Sequence, residues 1–148
     1  MLVEDLMTRD VTTIHPDQSI ADAARMMRRL DVGILPVAEH DRLVGMITDR
    51  DIALRGTGQE KPPDTPVREI MTPDVKYCFA DQGVDEVAEN MADIQVRRLP
   101  VLNREKRLVG ILSLADIATS DEADEAGEAL SGISRPNVTT QAPQFPIF

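Results

Sequence analysis

The chain is predicted to fold as an α/β protein, a tandem of two β-α-β-β-α repeats with pseudo-twofold symmetry. Three observations predict it. The sequence repeats itself at an almost constant offset, each copy alternates short β-branched runs with stretches of helical period, and its aliphatic residues can fill a core in which aromatics, at 3%, play little part.

The repeat carries the most weight, because self-similarity at a fixed period signals one supersecondary unit used twice. Val3-Glu-Asp-Leu-Met7-Thr8 matches Val67-Arg-Glu-Ile-Met71-Thr72 at an offset of 64. The offset persists through Val11/Val75, Asp17/Asp81, Gln18/Gln82, Ala24/Ala88, Met27/Met91 and Val32/Val96, and through Leu35-Pro36-Val37 against Leu99-Pro100-Val101. One inserted residue then raises it to 65, and Arg42-Leu-Val-Gly45 matches Arg107-Leu-Val-Gly110 before Asp51-Ile-Ala53 and Asp116-Ile-Ala118 close the pattern. With 20 identities over residues 3–53 and a single gap, the chain is a duplication.

In the first copy, Val11–His15 is a short β-branched run stopped by Pro16 and is predicted to be a strand, somewhat irregular. Ser19 then caps a helix, with Asp22 as its capping-box partner. Ile20, Ala23, Ala24, Met27 and Leu30 lie at helical spacing on one face, which the second copy repeats as Val84, Val87, Ala88, Met91 and Ile94. Gly33–Val37 is an apolar strand limited by Pro36. Glu39–Arg42 turns the chain into strand Leu43–Ile47, and Thr48 opens a second helix running to Leu54.

Two Gly and three Pro in Gly56–Pro66 permit neither helix nor sheet. The expected organisation is therefore repeat 1 over 1–58, a linker over 59–66, repeat 2 over 67–120, and an acidic then Pro-containing flexible tail over 121–148. The acidic run Asp121–Glu128 is a candidate extension of the last helix. A copy of ~50 residues is small for a self-sufficient core, so the apolar helix faces are expected to pair with the other copy. Met26, Met27 and Met91 with the Ala-rich helical surface are candidates to dock a second chain, and a homodimer is expected.

The net charge is −10. Residues 1–118 hold 21 acids and 15 bases, and residues 119–148 hold 5 acids and one Arg. Such a surface repels phosphate backbones, which argues against nucleic acid as a partner. The single cysteine, Cys78, excludes an intramolecular disulfide and a multi-Cys zinc site, and reads as a small buried hydrophobe. With no basic, apolar leader and no long apolar run, a cytoplasmic protein without a membrane partner is expected.

The chemistry-bearing pattern ends each repeat: Gly45-Met-Ile-Thr48-Asp49-Arg50-Asp51 and Gly110-Ile-Leu-Ser113-Leu-Ala-Asp116. Each places a hydroxyl and then an Asp at a strand-to-helix junction, where unpaired N–H groups and the helix dipole favour anions. The Asp accepts two hydrogen bonds from vicinal hydroxyls and so suits a ribose. The same spacing is that of a capping box, which needs no ligand; recurrence behind Leu-Val-Gly in both copies adds weight to the ligand reading. Arg97-Arg98 lead into a strand, so alternation turns one guanidinium to each face, and guanidinium is a natural phosphate clamp. Gly33-Ile34 stand at the matching positions, so the two sites are not equivalent. His15 and His40 read as a strand end and a turn. No metal-ligand spacing, no metal, no phosphate-cradling Gly loop and no nucleophile constellation occurs, and catalysis has no support.

These residues resemble the CBS-domain pair, or Bateman module, over about Met1–Ser120, in its stand-alone bacterial form. The resemblance rests on Leu-Pro-Val before the second hairpin strand and the Gly-x-x-[Ser/Thr]-x-x-Asp ending in both copies. It implies clefts between the repeats that take AMP, ADP or ATP, or else S-adenosylmethionine or NADH, with no cofactor required. By motif position, Asp51 and Asp116 would hold ribose hydroxyls, and Thr48, Arg50, Ser113, Arg97 and Arg98 would contact phosphate. Adenine would lie against Thr12, Thr13, Lys76 and Tyr77 and the backbone at Ile34, Leu35, Pro36, Arg98, Leu99 and Pro100. The implied protein is a regulatory adenine-nucleotide sensor read by an effector protein. The alternative is a ligand-free dimerisation or interaction module.

Overall fold

A computed structural model describes residues 1–120; the predicted helical extension over Asp121–Glu128 and the Pro-containing stretch after it lie outside them. The element order is α1 (Val3–Leu6), α2 (Ile20–Leu30), β1 (Ile34–Glu39), β2 (Arg42–Thr48), α3 (Asp49–Asp51), β3 (Cys78–Phe79), α4 (Val84–Ile94), β4 (Arg98–Leu102), β5 (Leu108–Ser113) and α5 (Leu114–Ala118).

The helix of the first repeat starts as its sequence requires. Asp22 N donates to Ser19 Oγ at 3.0 Å, and Ser19 N donates back to the Asp22 carboxylate at 3.4 Å. The remaining first-turn donors find carbonyls in the Pro-rich linker, with Ile20 N on Thr65 O and Ala21 N on Pro63 O. The linker thus closes a helix end that would otherwise leave N–H groups unpaired. It also carries one helical turn, Thr57–Gln59, that the Gly and Pro content argued against, and the helix predicted to end at Leu54 runs on to Gly56. α3 continues as a wide π-type turn over Ile52–Gly56 and a 3-10 turn over Thr57–Gln59.

α2 buries Ile20, Ala23 and Met27, but Ala24 and Leu30, predicted on the same face, are exposed. They flank the buried stripe on either side, so only its middle meets the core. In α4 the stripe is wider and Val84, Val87, Ala88 and Met91 are all buried. Met27 and Met91 are therefore core residues and cannot dock a second chain; Met26 is partly buried.

Each hairpin is antiparallel, β1 with β2 and β4 with β5, and each has an irregularity just after its Pro-Val pair. The single gap in the repeat falls in the hairpin turns. His40 and Asp41 both have positive φ (53° and 62°), which fits a two-residue turn matched to strand twist. The longer turn has only Lys106 at positive φ, and Asn103 Oδ1 accepts from Glu105 N and Arg107 N.

The predicted strand Val11–His15 is reduced to one parallel bridge, Ile14 with Val37, and its counterpart β3 is two residues long against β4. Ile14 N donates to Pro36 O, and Ala38 N donates to Ile14 O. The next step toward Thr12 would need an N–H from Pro36, which has none. Pro100 stops β3 on the Lys76 side in the same way.

Packing divides the chain differently from its repeats. One compact unit is Thr12–Val75; the other, among the described residues, joins Met1–Val11 to the chain between Lys76 and Ser120. The opening segment of each repeat lies on the helix and hairpin of the other. Val67 N donates to Gln18 O, Arg68 N to Pro16 O, and Met46 and Thr72 exchange backbone hydrogen bonds. In the other unit Val3 N donates to Gln82 O, Glu4 N to Ala80 O, and Thr8 and Ile111 make the matching exchange. The first core accordingly gathers Ile14, Ile20, Met27, Leu35 and Ile47 with Val67 and Ile70. The second gathers Cys78, Val87, Met91, Leu99 and Leu112 with Val3 and Met7.

Candidate functional site

The Gly of each Leu-Val-Gly is the contact point of this exchange. A Cβ on Gly45 would lie 2.8 Å from Thr72 O and 2.7 Å from Met71 Sδ; on Gly110 it would lie 2.9 Å from Thr8 O and 2.6 Å from Met7 Sδ. The Met-Thr pair and the Gly, two motifs apart in sequence, are halves of one packing device. Its Gly lies three residues before the strand ends Thr48 and Ser113, which carry candidate site residues.

At those ends the Thr48/Asp51 and Ser113/Asp116 pairs form complete capping boxes. Asp51 N donates to Thr48 Oγ1 at 3.0 Å and Thr48 N to Asp51 Oδ2 at 3.0 Å. Asp116 N donates to Ser113 Oγ at 3.1 Å and Ser113 N to Asp116 Oδ2 at 2.9 Å. The structural role of these residues is thus realised, and it leaves chemistry over. Each hydroxyl is used as an acceptor and keeps its own O–H to donate; each carboxylate spends one oxygen and retains acceptor capacity on the other. Oδ1 of Asp51 lies 3.8 Å from Arg55 Nε. Asp51 is 8% exposed and Asp116 is partly buried, so neither points freely to bulk water.

The expectation of unpaired helix N–H groups is corrected at the first junction. Asp49 N donates to Gly33 O, Arg50 N to Asp49 Oδ1 at 2.8 Å, and Asp51 N to Thr48 Oγ1. The opening of α3 is satisfied by the chain itself. At α5, Leu114 N donates to Arg97 O and Asp116 N to Ser113 Oγ, while Ala115 N has no partner among the described residues.

Strand register sorts the arginines. Arg98 pairs across the ladder with Ser113, as Ile34 does with Thr48. Cross-strand partners share a face, so Arg98 rather than Arg97 flanks Ser113. Both arginines, and Arg50, are exposed. Thr12 and Thr13 are exposed in the unit of Thr48 and Asp51; Lys76 and Tyr77 are exposed in the unit of Ser113 and Asp116. The Tyr77 ring stands edge-on to Phe79, with centroids 5.6 Å apart, and the Arg104 guanidinium lies 4.1 Å over Phe79. Arg104 is held in turn by Asp81, whose carboxyl it keeps below the ordinary carboxylate range. Leu35, Pro36, Leu99 and Pro100 are buried, the two leucines in the cores. What they offer a ligand is backbone. Ile34 is partly buried.

Sequence reading gave Asp49 no site role. Its Oδ2 lies 3.1 Å from where a Cβ on Gly33 would stand. The signal was present in the repeat alignment, where Asp49 with Gly33 answers Leu114 with Arg97. Among the described residues no group of three or more His, Cys, Asp and Glu is placed to hold a metal ion, and no helix is long and apolar enough to cross a membrane.

Two repeats, each ending in a capped hydroxyl-Asp pair beside a Gly-anchored hairpin, define the class. The chain belongs to the CBS-domain family, whose model matches residues 3–56 and 67–122 as a tandem pair. Among curated proteins it is 42% identical over 137 residues to the CBS domain-containing protein YhcV of Bacillus subtilis, covering 92% of this chain and 97% of that one. Among solved structures it is similar to the CBS domain pair of protein MJ0100 in complex with 5′-methylthioadenosine and S-adenosyl-L-methionine. The TM-score is 0.67 at 34% identity, over 80% of this chain and 93% of that one. It is also similar to CBSX2 in complex with AMP, with a TM-score of 0.69 at 27% identity, over 79% and 93% of the two chains. CBS pairs are regulatory modules, and these two neighbours are adenosine-compound complexes.

Proposed function

We propose that this chain is a regulatory sensor that binds an adenine nucleotide (AMP, ADP or ATP), or else S-adenosylmethionine or NADH, and passes its occupancy to an effector protein. Asp51 and Asp116 accept from ribose hydroxyls, Thr48 and Ser113 donate to ribose or phosphate, and the guanidinium groups offered to phosphate are Arg98 with Arg97 in one unit and Arg50 in the other. In one unit Thr12, Thr13 and the backbone of Ile34–Pro36 lie along a base, and in the other Lys76, Tyr77 and the backbone of Arg98–Pro100 do so. The observation that carries the reading is the pair of capping boxes. They hold hydroxyl and carboxylate in fixed orientations with acceptor and donor capacity to spare, so binding pays little ordering entropy.

The test is calorimetry with AMP, ATP and S-adenosylmethionine on the native chain and on Asp51→Ala and Asp116→Ala. Each variant is expected to lose roughly 1–3 kcal/mol of binding through unmade hydrogen bonds. A native chain that binds none of these compounds, or two variants that bind as well as it does, would remove the proposal. A ligand at a hundredfold excess over Kd should also stabilise the fold by about 2.7 kcal/mol.

A homodimer and a cytoplasmic location belong to the same proposal. Leu30 and Leu54 expose 39% and 53% of their surface on helical segments, which supports a self-association face. Sedimentation of the native chain and of Leu54→Glu checks it, with a shift toward monomer expected in the variant.

A further inference from the structure

The two capped pairs sit in different electrostatic settings, and the difference lies in residues the motif leaves variable. Next to Ser113 stands the exposed Arg98, with Arg97 before it in sequence. Arg98 is the cross-strand partner of Ser113, and Leu114 and Ala115 separate Ser113 from Asp116. Ser113 is thus flanked by a guanidinium, with no second carboxylate between it and Asp116. Next to Thr48 and Asp51 the variable residues are Asp49 and Arg50, and Gly33-Ile34 replace the two arginines. Asp49 and Asp51 balance Arg50 and Arg55, and Arg55 is already turned to Asp51 at 3.8 Å.

Asp49 is also held in place. Its Oδ1 accepts from Arg50 N at 2.8 Å, and its Oδ2 lies over Gly33, where the other repeat has Arg97. A fixed carboxylate here meets an incoming phosphate with like charge, and the backbone donors that could offset it are already spent on Gly33 O, Asp49 Oδ1 and Thr48 Oγ1. Like charges brought close disfavour binding, whereas charge-assisted bonds from a guanidinium favour it.

We propose that the two units select adenosine compounds by the charge of the 5′ substituent. The unit carrying Arg98 and Ser113 takes a 5′-phosphorylated adenosine. The unit carrying Asp49 and Thr48 takes an uncharged or cationic one and rejects phosphate, with Asp49 as the discriminating residue. This rests on the reading of Asp51 and Asp116 as ribose acceptors and adds to it a division of labour.

Titration calorimetry with AMP, adenosine and S-adenosylmethionine on the full chain tests it. AMP is expected to fill one site per chain, and Arg98→Ala to weaken that site by about ten- to hundredfold, the loss of a charge-assisted bond. S-adenosylmethionine or adenosine is expected to bind AMP-saturated protein at a second site, unaffected by Arg98→Ala. Asp49→Asn, which keeps an acceptor for Arg50 N, is expected to open a second AMP site. Glu105→Gln, an equal charge change in the exposed turn after β4, is expected to open none. Two equal AMP sites in the native chain would overturn the proposal while leaving the ribose assignment standing, as would an Asp49→Asn isotherm identical to the native one. If no adenosine compound binds the native chain, the ribose assignment falls, and the charge selection falls with it.

Discussion

Gly45 and Gly110 show how much a single missing Cβ decides. Neither has an unusual φ; each is glycine because a backbone carbonyl and a methionine side chain occupy the space above it. Gly45→Ala and Gly110→Ala are expected to destabilise the protein by about 1–3 kcal/mol each through overpacking. Urea denaturation monitored by circular dichroism measures it, and an unchanged midpoint in both would mean that the opening segments do not hold the hairpins. Cys78 makes a second residue-level case. Burial pushes its thiol from the ordinary 9.0 up to about 12, beside the Pro100 carbonyl 3.8 Å away. A thiol whose folded pKa is raised stabilises the fold fully below its unfolded value and loses that contribution as pH climbs toward the folded one. The stability advantage of the native chain over Cys78→Ala should therefore be constant up to pH about 9 and shrink between pH 9 and 12. Paired denaturation curves across that range check it. Asp49 marks a limit of residue-scale reading: set against a motif it is a variable position, and its placement over Gly33 is visible only in the fold.

Helices, hairpins and caps were legible because their determinants are local. Ser19 with Asp22, Thr48 with Asp51 and Ser113 with Asp116 each span one helical turn, and each formed the reciprocal bonds that spacing calls for. Leu-Pro-Val read correctly as a strand, but β1 and β4 run through the proline, which limits only their pairing with the opening segment. The first strand of each repeat did not survive as predicted, since its length depends on a neighbour. Val11–His15 has the composition of a strand, yet a strand needs donors from its partner, and Pro36 withholds one. β-propensity measures fit to a pleated surface and cannot report whether the facing strand is able to pair. The linker was misjudged in part for a related reason: Gly and Pro content argued against helix and sheet, yet it holds a short turn at Thr57–Gln59, and its carbonyls close the first turn of α2.

For the whole molecule, the consequence is that the unit of duplication and the unit of packing differ. The segment Thr12–Val75 is contiguous and carries its own buried core, Val67 and Ile70 included. A fragment of residues 12–75 is expected to unfold cooperatively on heating, whereas one of residues 1–58, which lacks Val67, Ile70 and the Thr72 contact, is expected to be largely unfolded. Thermal circular dichroism of the two decides the matter, and the reverse result would contradict the assignment of Val67–Thr72 to the first core. The same scale frames the binding proposal. The two copies of the motif, already unequal at Gly33-Ile34 against Arg97-Arg98, also carry different charges at Asp49 and Leu114.

What the amino-acid order alone determined were the duplication, the α/β repeat, the capped helix starts and the hydroxyl-Asp pairs, because each depends on residues within a turn or a strand of one another. Folding in three dimensions decided which repeat each opening segment completes, how short the first strands are, which arginine flanks Ser113 and that Asp49 lies over Gly33. Those outcomes depend on contacts between residues dozens of positions apart. Such contacts are selected by shared core volume and by the pairing of buried backbone groups, and neither is encoded in any one stretch of chain.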